Sequence, residues 1–295
     1  LRGRCLLEKD LGPMAFPRIP ANPTPFTVAE YFPDPTVVTS ASLRSAIIAT
    51  GYPWRVRDNG TGIEMLLVPP GIFDMGCIQG SNSYGCYGQE QPVHAVTLTN
   101  AFYLGRYEVT QAQWQSKMGS NPSYFQPPHT ATADTSRPVE WVSWNTIQGF
   151  LTATGMQLPT EAQWEYAARG GKDVIFPWGD TFDIAKVWCS TRQLGDSGKT
   201  APVIRKERTF ENRFGLIDMA GNVNEWLNDF YGPYPTDTLA VRDPIGPARG
   251  EFRCIRGGSW HKYDSDSFRC TNRGASRPEH PGGTRGGFRI ITLHT

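Results

Sequence analysis

The chain has 295 residues, 39% of them hydrophobic, and a formal net charge of +1. That balance excludes a globally basic nucleic-acid binder, and no apolar run approaches the roughly 18 residues that a bilayer-spanning helix needs. Glycine (31) and proline (24) make up roughly a fifth of the chain, against about 12% in ordinary domains, which predicts a loop-rich globular protein rather than a helical bundle.

Residues 1 to about 40 read as an extended arm. Pro13, Pro17, Pro20, Pro23, Pro25, Pro33 and Pro35 remove backbone donors and favour polyproline-like chain. Such an arm lies across the domain, reaches a protein partner, or stays disordered. The opening Leu1, with no initiator methionine and no apolar signal core, reads as a processed or truncated chain. Residues 41–61 hold a short helix, Ser42 to Ala49 with a serine N-cap and a stop at Gly51, and then a lead-in strand. Residues 62–295 form the main domain.

Strands from Trp54 to Arg57 and from Ile63 to Val68 flank Asn59-Gly60, a strong hairpin signal. Val93 to Leu98 and Phe102 to Glu108 read as a second alternating pair around Thr99-Asn100. Helices follow at Thr110 to Lys117, Ser143 to Ala153 and Thr160 to Arg169. The first and last carry a capping box, Thr110 with Gln113 and Thr160 with Gln163. Gly170-Gly171 stops the last one, on which Trp164, Ala167 and Ala168 form a buried face. Beyond Gly171 the pattern is short strands and long turns.

Cysteine usage points to an oxidising compartment. Cys77 and Cys86 bracket a Gly- and Asn-containing loop able to make the tight return that a disulfide requires. Cys5, Cys189, Cys254 and Cys270 allow three pairings that spacing does not separate, of which Cys254–Cys270 is preferred. No CxxC and no Cys/His cluster of zinc spacing occurs. The five histidines (His94, His129, His261, His280 and His294) are scattered, so each reads as a surface or hydrogen-bonded residue rather than a ligand.

An ordered set of segments then resembles one family. Met65 to Gly71, Tyr107 to Trp114, Arg137 to Trp144, Leu158 to Ala167, Phe176 to Gly179, Phe214 to Trp226, Arg256-Gly257-Gly258-Ser259-Trp260 and Gly287-Phe288-Arg289 follow the pattern of formylglycine-generating-enzyme (sulfatase-modifying-factor) domains. The resemblance implies an irregular, loop-rich α+β fold of C-type-lectin-like architecture. It also implies a calcium site at Asp218, Gly221, Val223 and Glu225, a set of carboxylates and carbonyls around a Gly turn that suits the ion. The competing reading of that loop is a tight turn with Glu225 paired to an arginine. A second family calcium site is disfavoured, because Lys186 stands where an asparagine is expected.

Catalytic members of the family carry a reactive cysteine pair just after Gly-Gly-Ser, suited to copper(I). Here that stretch reads His261-Lys-Tyr-Asp-Ser-Asp-Ser267, with no cysteine before Cys270. Copper is therefore not expected. The resemblance makes Cys270 a structural cysteine whose usual partner, on the helix around Glu165 to Ala168, is absent. The His-x3-His-x-Glu triad of iron-dependent relatives is absent too.

What remains is a recognition surface. Tyr263, Asp264, Asp266, Asn272, Arg273, Arg277 and Arg285 fall where the family faces its substrate, with Trp260 read as core. The variable proteins of diversity-generating retroelements end in the same frame and vary the side chains between. The sequence thus points to a secreted, periplasmic or cell-surface binding component that uses a protein partner, calcium and a disulfide. The alternatives are a metal-dependent oxidase or oxygenase with a non-standard site, and a structural subunit of an envelope or extracellular complex.

Overall fold

The computed structural model describes residues 26–77, 84–190, 198–207, 209–236 and 240–293. Among the described residues, four α-helices and three small sheets carry the fold, with long turns between them. The expected α+β, loop-rich architecture is what forms.

The largest sheet has five strands: β1 (Phe26–Glu30), β2 (Arg55–Asp58), β3 (Glu64–Val68), β6 (Phe102–Gly105) and β12 (Ile291–Leu293), in that order across the sheet and antiparallel throughout. The arm expected over residues 1–40 is therefore built into the domain from Phe26 onward, pairing with β2, and Val38 is fully buried. Residues 1–25, with most of the arm prolines and Cys5, lie outside the described residues. Helix α1 (Ala41–Ala49) is capped by Ser40, which accepts the Leu43 amide, two residues earlier than expected.

The second expected hairpin does not form. β5 (His94–Leu98) pairs with β4 (Gly71–Met75) and, in parallel, with β8 (Val241–Arg242), whereas β6 inserts between β3 and β12 of the large sheet. The chain switches sheets at Thr99-Asn100, where Asp243 accepts the Thr99 amide at 2.8 Å. Both strands are half or more buried, so pairing is set by which core each face fills rather than by their proximity in sequence.

Helices α2 (Gln111–Met118) and α4 (Glu161–Arg169) carry the two capping boxes, and α3 (Trp144–Thr154) a third, Ser143 with Thr146. Each ends on a left-handed glycine: Gly119, Gly155 and Gly170. On α2 and α3, Trp114 stacks on Phe150 at 5.6 Å, and Phe288 meets both rings edge-on. That cluster fastens the end of the chain to the helical layer. On α4, the expected apolar face is present, but Glu161, Glu165 and Arg169 are buried as well.

The third sheet runs β10 (Gly274–Ser276), β9 (Arg253–Arg256), β7 (Asn224–Phe230), β11 (Gly286–Gly287). It lies over α4 and places the chain's closing frame. The Cys77–Cys86 bridge is formed. Cys254 and Cys270 are not bonded to one another, contrary to expectation; each is a buried thiol. Cys254 sits 3.4 Å from a carboxylate oxygen of Glu161, and the Cys270 amide is bound by the Ile175 carbonyl.

Candidate recognition surface

The closing frame is held from below by arginines. Arg256 ends β9 and is 1% exposed; its guanidinium donates to Glu161 at 2.8 Å and to Glu165 at 2.9 Å. Arg273 donates to the same Glu161 at 2.7 and 2.6 Å, and Arg169 takes the other oxygen of Glu165. Burial pushes the Glu161 carboxyl upward, but Arg256 and Arg273 outweigh it and hold it down at about 2. At the far end of the frame Arg289 clasps Glu225 at 2.7 and 2.6 Å and binds the carbonyls of Gly105 and Ile217.

On this base Gly257 and Gly258 reverse the chain. Gly258 has φ +70°, and a Cβ there would lie 2.7 Å from the Ser267 carbonyl, so only glycine lets the two segments touch. Ser265 to Phe268 then form one 3-10 turn. Asp264 caps it, accepting the Ser267 amide at 3.1 Å and the Ser267 hydroxyl. Phe268 is buried and stacks on Phe182 at 6.0 Å, and Arg269 is buried against Glu90 and Thr271. Tyr87 donates to Asp266 at 3.2 Å, which brings the segment carrying Cys86 alongside the turn. The disulfide thus anchors a neighbour of this surface.

The sequence-predicted residues divide. Tyr263 is 68% exposed, and Asp264 and Asp266 stand beside it on the turn. Arg277 is exposed and paired with Glu251 over the Phe252 ring. Arg285 is exposed and, with His280, Asn224 and Trp226, lines a cavity of about 180 Å³. Asn272 is half-buried, and its carbonyl accepts from Arg256. Arg273 leaves the surface: it is 6% exposed and braces α4 through Glu161. Trp260 is half-buried rather than core; its indole donates to the Thr284 carbonyl at 2.8 Å and its edge meets Phe125.

The same surface holds aromatics that sequence reasoning did not select. Tyr124, 40% exposed, stacks on His129 at 3.9 Å and, at 6.2 Å, on Trp141, which is 46% exposed. Trp141 has φ +62°, a left-handed conformation that a bulky residue adopts only where its surroundings hold it; its amide donates to Gly283. No local pattern marks these loop aromatics. Only the fold brings residues 124–141 beside 260–284.

The loop expected to hold calcium is differently occupied. Asp218 is clasped by Arg205 and Glu225 by Arg289, with Trp164 donating to Glu225 as well. The Gly221 amide binds the Gly257 carbonyl, and the Val223 amide binds Glu108 at 3.1 Å. Glu108, buried near Asp218 and Glu225, is pushed well above the usual carboxylate range, first by burial and then by those two charges. Both carboxylates of the expected ligand set are thus spent on guanidinium groups, and the residues in this arrangement do not fit a calcium ion. Among the described residues, no group of three or more His, Cys, Asp or Glu is placed to hold a metal.

No described helix is long and apolar enough to cross a membrane. The family model described as "Sulfatase-modifying factor enzyme 1-like domain" matches residues 55–293, and a domain of unknown function (DUF4916) matches residues 4–61. The formylglycine-generating enzyme of Mus musculus is 32% identical over 289 residues, covering 78% of this chain and 75% of that protein. "Serine/threonine-protein kinase pkn1" of Chlamydia pneumoniae is 31% identical over 237 residues; the match covers 73% of this chain but only 36% of that longer protein. Among solved structures, Treponema denticola variable protein 1 superposes with a TM-score of 0.64 at 26% identity, covering 79% of this chain and 95% of that one. From the ordered motifs through the sheet order to these matches, the chain belongs to the sulfatase-modifying factor enzyme 1-like domain family.

Proposed function

We propose that this chain is a non-catalytic binding component that recognises a protein partner outside the cytoplasm, through the surface formed by Trp260 to Arg285 and the neighbouring Tyr124 and Trp141. One observation carries the reading: where the resemblance places a reactive thiol pair, the chain sets a polar turn capped by Asp264. The cysteine that follows is unsuited to the role. Cys270 is 1% exposed, and burial pushes its thiol up to about 12 despite the nearby Arg169. Thiolate chemistry needs an accessible, acidified sulfur. Cys254 is likewise driven upward by burial and by Glu161.

The composition of the surface supports recognition. Exposed Tyr263, Tyr124 and Trp141 offer rigid aromatic area, and Asp266 and Arg285 add charge of both signs. The turn is pre-ordered by its cap and by Tyr87, so little entropy remains to be lost on contact. The disulfide suits an oxidising compartment.

The test is a copper(I) titration of the reduced protein against a chromophoric chelator. Competition no stronger than that of a thiol-free control protein is the expected result. Tight binding of one equivalent of copper(I) would overturn the reading.

A further inference from the structure

The loop from Asp218 to Glu225 is where resemblance leads to calcium and geometry leads elsewhere. Asp218 has φ +55° and a carboxylate side chain only 2% exposed. Both of its oxygens are taken by one guanidinium: Nη1 and Nη2 of Arg205 lie at 2.6 and 2.7 Å. Arg205 also donates to the carbonyls of Pro202 at 3.0 Å and Glu207 at 3.1 Å, and its guanidinium lies 5.4 Å from the centre of the Trp188 ring. Two carboxylate oxygens and two backbone carbonyls therefore surround this cation, the kind of donor mixture that holds calcium.

The surrounding chain is braced on the same point. The Trp188 carbonyl accepts the Asn222 amide at 2.8 Å, and Trp188 pairs with Gly221. Gly221 has φ +88°, and a Cβ there would stand 2.7 Å from that carbonyl. The Asn222 carbonyl in turn accepts the Trp260 amide, and the Gly257 carbonyl accepts the Gly221 amide. Whatever cation orders the loop thus also supports the base of the closing frame.

We infer that Arg205 is the resident cation of this loop, a tethered guanidinium in the place of a divalent ion, and that the loop and the Gly257–Trp260 segment it supports are ordered without calcium. A planar guanidinium matches a carboxylate two-for-two and stays charged across the working pH range. Burial works against that charge, and the Asp218 carboxylate more than restores it. Without Arg205, the carboxyls of Asp218, Glu225 and Glu108 would be left, among the described residues, to share Arg289, giving an anionic pocket open to a divalent ion.

Thermal melts of the full chain in calcium and in chelator test this, together with those of R205M. The wild type is expected to melt at one temperature in both. R205M is expected to melt roughly 5–10 °C lower in chelator, as for loss of one partner from a buried pair, and to recover part of that in millimolar calcium. A wild type that loses stability in chelator and regains it with calcium would overturn the inference, as would an R205M protein melting like the wild type in chelator. If R205M does not fold, D218N decides with the wild-type melts. It keeps the loop's shape but strands Arg205, and is expected to be destabilised and indifferent to calcium; a D218N protein as stable as the wild type would overturn the inference.

Discussion

Glu161→Ala is expected to destabilise the folded chain by about 5 kcal/mol, the upper end for breaking a buried ion pair. Glu161 opens α4 and is 4% exposed, yet it receives three charged hydrogen bonds, one from Arg256 and two from Arg273. Its removal leaves Arg256 to share Glu165 with Arg169 and leaves Arg273 buried without a carboxylate. A cost of that size consumes much of the roughly 5–15 kcal/mol that holds a typical domain together. Glu161→Gln keeps the volume and some of the hydrogen bonding, so the difference between the variants, read from denaturant melts, isolates the charge. The sign of the pH effect follows from a folded-state value depressed to about 2. The stabilisation is present above the ordinary carboxylate value and drains away as pH falls from about 4.5 toward 2, amounting to about 3 kcal/mol in the wild type. A Glu161→Ala protein that melts within a degree or two of the wild type would show that the two arginines find other partners.

Asp229→Asn is expected to act in the opposite sense and to stabilise the protein at pH 8 by about 2–4 kcal/mol. Asp229, on β7, is 3% exposed and accepts the Glu161 amide at 3.0 Å through one oxygen. Burial first, then the neighbouring Glu161 charge, push its carboxyl up to about 7, with Arg256 and Arg273 only partly offsetting them. The side chain also borders a cavity of about 380 Å³ lined by His94, Glu161 and Arg273 among others. Between about pH 4 and pH 7 the unfolded chain has released this proton and the folded chain has kept it, so stability falls as pH rises through that window. Glu140, raised to about 7 by burial despite the lowering effect of the Phe125 and Tyr124 amides, adds a second contribution of the same sign. Asparagine keeps the acceptor for the Glu161 amide and removes the ionisation. The variant should therefore show a flatter profile between pH 5 and pH 8 than the wild type. Parallel profiles would mean that Asp229 ionises without cost in the folded state.

The features legible in the sequence are those fixed by neighbours along the chain. The boxes of Thr110 with Gln113 and Thr160 with Gln163 act over three residues, so both helices stand where expected. Pairings set by the assembled core were not legible. His94–Leu98 and Phe102–Gly105 look like a hairpin, but their partners β4, β8, β3 and β12 come from as far as residues 241 and 291. The buried charge on α4 was hidden for the same reason: periodicity shows Trp164, Ala167 and Ala168, and although Arg169 pairs with Glu165 within the helix, Arg256 and Arg273, which complete the partners of Glu161 and Glu165, lie about 90 to 110 residues later.

The candidate surface follows the same rule. Tyr263, Asp264 and Asp266 belong to one turn and could be read together. Arg273 could not be told from a surface arginine without its partner Glu161, and Tyr124 and Trp141 join the surface through contacts of Phe125 with Trp260 and of Trp141 with Gly283 that are remote in sequence. The preferred Cys254–Cys270 pairing failed because both thiols are buried at separate places, one beside Glu161 and one beneath the Ile175 carbonyl. At Glu225 the alternative reading, a turn paired to an arginine, matches the contact with Arg289; the Asp218–Arg205 pair was not foreseen.

The central claim, a family scaffold that binds rather than catalyses, is tested most directly by turnover. The purified chain, supplied with copper(I), oxygen and a cysteine-containing peptide, should consume no oxygen above the protein-free rate and leave the peptide mass unchanged. Conversion of the peptide cysteine to an aldehyde, dependent on both copper and oxygen, would contradict the account.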